Sequence, residues 1–174
     1  MHNRIKWTDR TFEFRFPTGI YPEMIERLRG APPRIEEHCQ SLSTEILTFQ
    51  HEGRWSIQEN AGHLLDLESL VQQRIDEYVR GTNQLHAADM TNRKTYDASH
   101  NETPIATILA AFRAERTKTV ALLETLAADV FGRVALHPRL KVDMRLVDML
   151  FFQAEHDDYH LTRINELRLL LTRS

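Results

Sequence analysis

The chain has 174 residues, of which 41% are hydrophobic and 27% charged, with few Gly and Pro; that is enough for one domain, residues 1–174, with a proper core. A formal charge of −3 and a pI near 6.3 argue against a surface for nucleic acid or anionic membrane. The single cysteine, Cys39, leaves no intramolecular disulfide and fits a reducing cytosol.

Met1 to Lys6 lacks the apolar segment of a signal peptide. No apolar run approaches the ~20 residues that would span a bilayer, so the expected location is cytoplasmic. Residues 1–19 read as an extended arm. Thr11-Phe12-Glu13-Phe14-Arg15-Phe16 alternates apolar and polar residues before Pro17 and Gly19, as a short strand or a lid on the rest would. Tyr21 to Arg29 makes a short helix ended by Gly30. Pro32 and Pro33 then open a first main helix reaching about Phe49, since proline fits a first helical turn. Cys39 falls on its apolar side with Ile35, Leu42 and Ile46, the place of a small core residue rather than of a nucleophile.

Ser56-Ile57-Gln58-Glu59 is a capping box. The helix it opens runs to about Arg80 and stops at Gly81, with Ile57, Ala61, Leu64, Val71, Ile75 and Tyr78 at three–four spacing. His63 lies on the shoulder of that face, flanked by Leu67 and Leu70, with Glu59 and Asp66 within one turn. Residues 81–102 form a polar loop, long enough to suggest a functional role. Thr103-Pro104 opens a third main helix through Leu126, residues 127–142 form a connection, and Asp143 is an N-cap for a final helix ending near Arg173. Four long helices with one apolar face each make an all-α four-helix bundle the economical arrangement.

The final helix carries His156-Asp157-Asp158-Tyr159-His160. Residues four apart on a helix are neighbours, so His156 and His160 can converge on one cation. Both fall on the wheel with Leu146, Met149, Ile164 and Leu167, which points them into the core. Buried neutral imidazoles need partners for their nitrogens, and a metal supplies one. Hydrogen bonding within the core is the alternative that HxxxH spacing leaves open, since HxxxH without HExxH is a weak motif. For His63 the alternative is a bond to its own Glu59 or Asp66. His38, His51, His86, His100 and His137 are placed on the surface or in loops, His38 being the one closest to the core.

The segments Gly53-Arg54-Trp55-Ser56-Ile57-Gln58-Glu59-Asn60-Ala61-Gly62-His63-Leu64-Leu65-Asp66 and His156 to Arg168 resemble the DinB superfamily, and within it the YfiT-like branch. Its members share a Trp before the second helix, a His followed by an Asp three residues on, and HxxxH in the last helix. The resemblance implies a four-helix bundle in which His63, His156 and His160 hold one divalent transition metal, zinc or nickel. The chain departs from the family in having Arg163 where members often have Gln. It also has Gly62 and Leu64 where many carry a second His.

Three His ligands with no fourth from the protein form an open, catalytic type of site. It would take water or a low-molecular-weight thiol as co-substrate. Asp157 and, behind it, Asp66 are the candidates to accept the ligands' free N–H groups, with plain helix-surface charge as their alternative. Glu59 is the candidate base for a bound water. Arg74 and Arg163 are the candidates to hold a substrate carboxylate. The expected activity is thiol transfer to an electrophile. Metal-dependent hydrolysis and a non-catalytic metal-binding stress-response protein are the alternatives. A small-molecule substrate is expected, with no nucleic acid and no membrane, and the oligomeric state is open, a homodimer included.

Overall fold

The computed structural model describes residues 4–172. Its helices are α1 (Tyr21–Arg29), α2 (Ala31–Cys39), α3 (Thr44–Thr48), α4 (Ile57–Arg80), α5 (Arg93–Asp97), α6 (Ile105–Glu124) and α7 (Leu146–Thr172). Strands β1 (Val134–His137) and β2 (Val142–Arg145) pair between α6 and α7. The stacked pair α1–α2 packs on α7 and α6, and α4 packs on the same two helices, which closes a four-column bundle. No described helix is long and apolar enough to cross a membrane.

The best-marked helix in the sequence forms as its signals require. Ser56 Oγ accepts from Glu59 N at 3.0 Å and Ser56 N donates to Glu59 Oε2 at 2.8 Å, so two end N–H groups find partners. At the other end Gly81 takes φ +72°, a left-handed conformation that glycine adopts without steric cost.

The first main helix is not continuous to Phe49. It breaks after Cys39, and Ser41 has φ +64°. Serine side chains bond to nearby backbone and favour caps over helix interiors, and Ser43 caps α3 by accepting from Ile46 N. Among its described residues the arm forms no strand. From Arg4 on it is extended apart from 3-10 turns at Trp7–Asp9 and Thr18–Ile20. Its alternation still seats Phe12, Phe14 and Phe16 on the bundle core. Their partners are side chains of α7, notably Phe151 and Phe152.

Two further expectations are corrected between α6 and α7. The connection folds as an antiparallel hairpin pairing Val134 with Arg145 and His137 with Val142. Asp143 therefore lies in β2, and α7 begins at Leu146 with Asp148 in its first turn, whose Oδ2 accepts from Arg145 N at 2.8 Å. The expected end near Arg173 lies outside the described residues. The first part of the 81–102 loop joins the hairpin, with Leu85 N donating to Leu136 O at 3.1 Å and Leu136 N to Asn83 O at 2.9 Å.

A layer of charge divides the core in two. One apolar cluster contains Leu28, Val71, Val120 and Ala154. The other contains Ala31, Leu64, Phe112 and Leu161. Between them Arg116 of α6, 1% exposed, donates to Glu68 of α4 at 2.6 Å, to Asp157 of α7 at 2.6 Å and to Leu28 O of α1 at 3.0 Å. One guanidinium thus touches all four columns. Burial raises the Glu68 carboxyl above its usual range while Arg116 opposes that rise.

Candidate metal centre

Helix α7 places His156 and His160 one turn apart on the face that meets α4, and α4 presents His63 to them. Ring centroids are 4.6 Å apart for His156–His160, 4.8 Å for His63–His160 and 5.4 Å for His63–His156. One nitrogen from each lies within 4.8 Å of the others, and all three residues are buried. A tetrahedral ion with bonds of about 2.1 Å would draw such nitrogens to roughly 3.4 Å, an adjustment within the reach of small side-chain rotations.

The nitrogens that face away from the cluster show how two rings are oriented. His160 Nδ1 meets Asn60 Oδ1 at 2.8 Å. The Asn60 amide nitrogen already donates to Trp55 O at 3.2 Å and Ser56 O at 2.7 Å, which leaves its oxygen to accept, so His160 Nδ1 carries the proton. His63 Nδ1 meets Thr95 Oγ1 at 3.0 Å. That hydroxyl gives its own proton to Asp66 Oδ2 at 2.9 Å, so His63 Nδ1 is likewise the donor. Both rings keep a free Nε2 lone pair, the arrangement that metal-ligating histidines use. His156 Nδ1 is buried without a partner among the described residues.

Electrostatics keep the three rings neutral. Burial, then the neighbouring His156, lowers His63 to about 3. Burial, then Arg139 and Arg116, lowers His156 to about 3. Burial and the two neighbouring imidazoles push His160 well below the usual range. Neutral imidazole is the form that coordinates. The donor set of three such nitrogens suits zinc, nickel and their neighbours, so the residues present fit a divalent transition metal.

The other expected residues have mixed fates. Asp66 serves His63 through Thr95 and also accepts from His100 Nε2 at 2.8 Å. Asp157 is fully buried but points to Arg116 and Gln153, away from the ligand nitrogens. Glu59 is committed to the helix cap and to Gln50. Arg74 is buried elsewhere, donating to His86 O at 2.8 and 3.0 Å, so it is not at the site. Arg163 does line the site pocket. Cys39 is buried, and burial pushes its thiol up to about 12. His100 and His137, expected on the surface or in loops, are buried, at 6% and 2% exposure.

Several site residues carried no signal read from the sequence. Thr95 and His100 come from the 81–102 loop, and His100 fits only because position 62 is glycine: a Cβ there would lie 2.5 Å from His100 Nδ1 and nearer still to Cγ and Cδ2. Asn60 could have been suspected as an asparagine inside a helix, where its propensity is poor. The arm adds Trp7, whose ring is 4.9 Å from that of His156, and α4 is preceded by Trp55, 4.7 Å from His63.

These groups open on a pocket of about 900 Å³. The three histidines, Asn60, Trp7, Trp55 and Tyr159 lie in its wall with Arg4, Lys6, Arg54 and Arg163, and with the carboxylates Glu52 and Glu166.

Fold and site together define a helical-bundle protein with an open three-histidine pocket. The family model of the DinB superfamily matches residues 27–164, and the chain belongs to that superfamily. Among solved structures it is similar to YfiT from Bacillus subtilis, described as a probable metal-dependent hydrolase with an unusual four-helix bundle topology. The TM-score is 0.80 at 19% identity, over 94% of each chain. It is also similar to a mycothiol-dependent maleylpyruvate isomerase, with a TM-score of 0.66 at 9% identity, over 84% of this chain and 60% of that one. At these identities the likeness is one of fold. No curated protein matches the chain in sequence.

Proposed function

We propose that His63, His156 and His160 hold one divalent transition metal, zinc or nickel, and that the protein transfers a low-molecular-weight thiol to an electrophile. The observation that carries the metal reading is the pair of Nδ1–H donations, His63 to Thr95 and His160 to Asn60. Together they leave both Nε2 lone pairs free for an ion, in a cluster where one nitrogen of each of the three rings lies within 4.8 Å of the others.

When bound, such an ion acts as a Lewis acid that favours the deprotonated form of a thiol or of water. The chain's own residues do the rest. Three neutral ligands leave the ion its full charge, Trp7 and Trp55 wall off the ligand rings, and Thr95 with Asp66 holds His63 in one tautomer. In the transfer the thiol proton goes to solvent, sulfur bonds to the electrophilic carbon, and the leaving group departs with its electron pair.

The distribution of carboxylates favours thiol over water. Hydrolysis wants a general base within hydrogen-bond reach of the nucleophile. Glu59 is occupied, Asp66 is screened by Thr95, and the pocket carboxylate Glu166 is paired with Arg4 and Arg163. The description of YfiT as a probable metal-dependent hydrolase keeps hydrolysis as the second reading. The isomerase of similar fold is a thiol-dependent protein by its description. A pocket of about 900 Å³ exceeds what an ion that only steadies a bundle requires.

The test offers chelator-treated and zinc- or nickel-loaded protein a panel of thiols with a chromogenic electrophile, and separately esters and amides. Conjugation that needs both metal and thiol is expected. Ester or amide turnover without thiol would replace the transferase by the hydrolase.

A further inference from the structure

The pocket wall holds four cations, Arg4, Lys6, Arg54 and Arg163, against two carboxylates, Glu52 and Glu166. That is a local excess of positive charge in a chain of net charge −3. The carboxylates are divided among the cations. Glu166 Oε2 accepts from Arg4 Nη1 at 3.3 Å and lies 3.8 Å from Arg163 Nη1. Glu52 comes no nearer than 4.0 Å to Arg54. Arg163 Nη2 is buried with no partner among the described residues.

We infer that Arg163, helped by Arg4 of the N-terminal arm, forms an acid-binding subsite beside the three histidines, and that the small molecule taken by the pocket carries a carboxylate. This rests on the proposal that the pocket is the substrate site. Arg163 stands three residues beyond His160, one helical turn away on neighbouring surface, so an acid held there sits beside the ion's position. A guanidinium offers a planar fork of donors that matches a carboxylate. Arg4 is held for the role, since Nη2 donates to Tyr159 O at 2.7 Å and its guanidinium lies 4.3 Å from the Tyr159 ring centre. Burial lowers the basicity of Arg163, Glu166 opposes that fall, and the positive Arg54 and Arg4 add to it. The arm is thereby part of the recognition surface.

The acid can ride on the thiol or on the electrophile, and the experiment separates the two. The chain's two tryptophans both line the pocket, so intrinsic fluorescence, with calorimetry as a second readout, follows its occupancy. Full-length chelator-treated protein is titrated with succinate and with its neutral counterpart succinamide. Succinate is expected to bind and succinamide not. R163Q is expected to weaken succinate about tenfold or more, the scale of a lost charge-assisted hydrogen bond, while keeping wild-type metal stoichiometry. E166Q removes the internal competitor and is expected to tighten succinate, which a merely structural Arg163–Glu166 pair would not produce.

With zinc-loaded protein, mercaptosuccinate binding more tightly than succinate or 2-mercaptoethanol, with the gain lost in R163Q, places the acid on the thiol. Joint binding of succinate and 2-mercaptoethanol without such a gain places it on the electrophile. Equal behaviour of succinate and succinamide, or unchanged succinate affinity in both variants, overturns the subsite. Absence of metal binding with succinate recognition intact overturns the proposed function and leaves the subsite standing.

Discussion

Replacing Gly62 by alanine sets helix propensity against packing. Position 62 is inside α4, where alanine would be favoured by about 0.5–1 kcal/mol. The added Cβ, however, would fall 2.5 Å from His100 Nδ1 and closer to two ring carbons, where ordinary contact begins at 3.4 Å. The ring must retreat by roughly 1 Å, more than a close-packed interior gives freely. Its 2.8 Å bond to Asp66 cannot stretch that far. Losing a buried bond to a carboxylate costs about 1.5–3 kcal/mol, and overpacking adds about 1–3 kcal/mol. Net of propensity, the variant should be about 2–5 kcal/mol less stable, roughly 5–15 °C in melting temperature for a chain of this size. Calorimetric melting of chelator-treated wild type, Gly62→Ala, His100→Ala and the double variant measures it as a cycle. The double variant should be no less stable than His100→Ala alone, because the alanine then meets no ring and only the bond to Asp66 stays lost. A Gly62→Ala protein as stable as wild type would refute the close packing of His100 on α4.

Thr95→Val removes the acceptor of His63 Nδ1–H and should weaken metal affinity about 10- to 100-fold, read by competition with a chromophoric chelator; unchanged affinity would mean that the loop does not orient His63. Arg116→Ala leaves Glu68 and Asp157 buried without their cation and should cost about 3–5 kcal/mol, read by urea unfolding, with a cost below about 1 kcal/mol speaking against the charged layer. Burial depresses the folded values of His63 and His156 to about 3, against an unfolded value of about 6.5. Between these limits the unfolded chain binds the extra protons, so stability is full above about pH 6.5 and falls below it. The fall is about 1.4 kcal/mol per pH unit for each such histidine. Melting temperatures of metal-free protein that stay level from about pH 7 to pH 5 would contradict the burial of neutral imidazoles.

What the sequence made legible follows the range of each signal. The Ser56–Glu59 box and Gly81 act within one turn, so they mark the ends of α4. The three–four spacing of α7 correctly placed His156 and His160 inward, because a long helix has one register against its core. Signals that depend on distant partners were not legible. Strands of four residues around Pro138 carry too little alternation to outweigh a loop. The polar string at 81–102 gains its fold from lying on α4, where Gly62 makes room for His100 and Asp66 gathers Thr95. Asp157 is the residue next to a ligand, yet neighbourhood along the helix does not show that Arg116 arrives from α6 to claim it. Arg74 shares a helix with His63, but it is bound to the carbonyl of residue 86 instead of facing the site.

Three imidazoles, one from α4 and two from α7, are proposed to hold one ion. Elemental analysis of purified protein by mass spectrometry, for wild type and for His63→Ala, His156→Ala and His160→Ala after reconstitution and desalting, tests it most directly. One zinc or nickel per wild-type chain is expected, with loss of stoichiometric metal in each variant and helical circular dichroism retained. Full occupancy in the His156→Ala protein would contradict it.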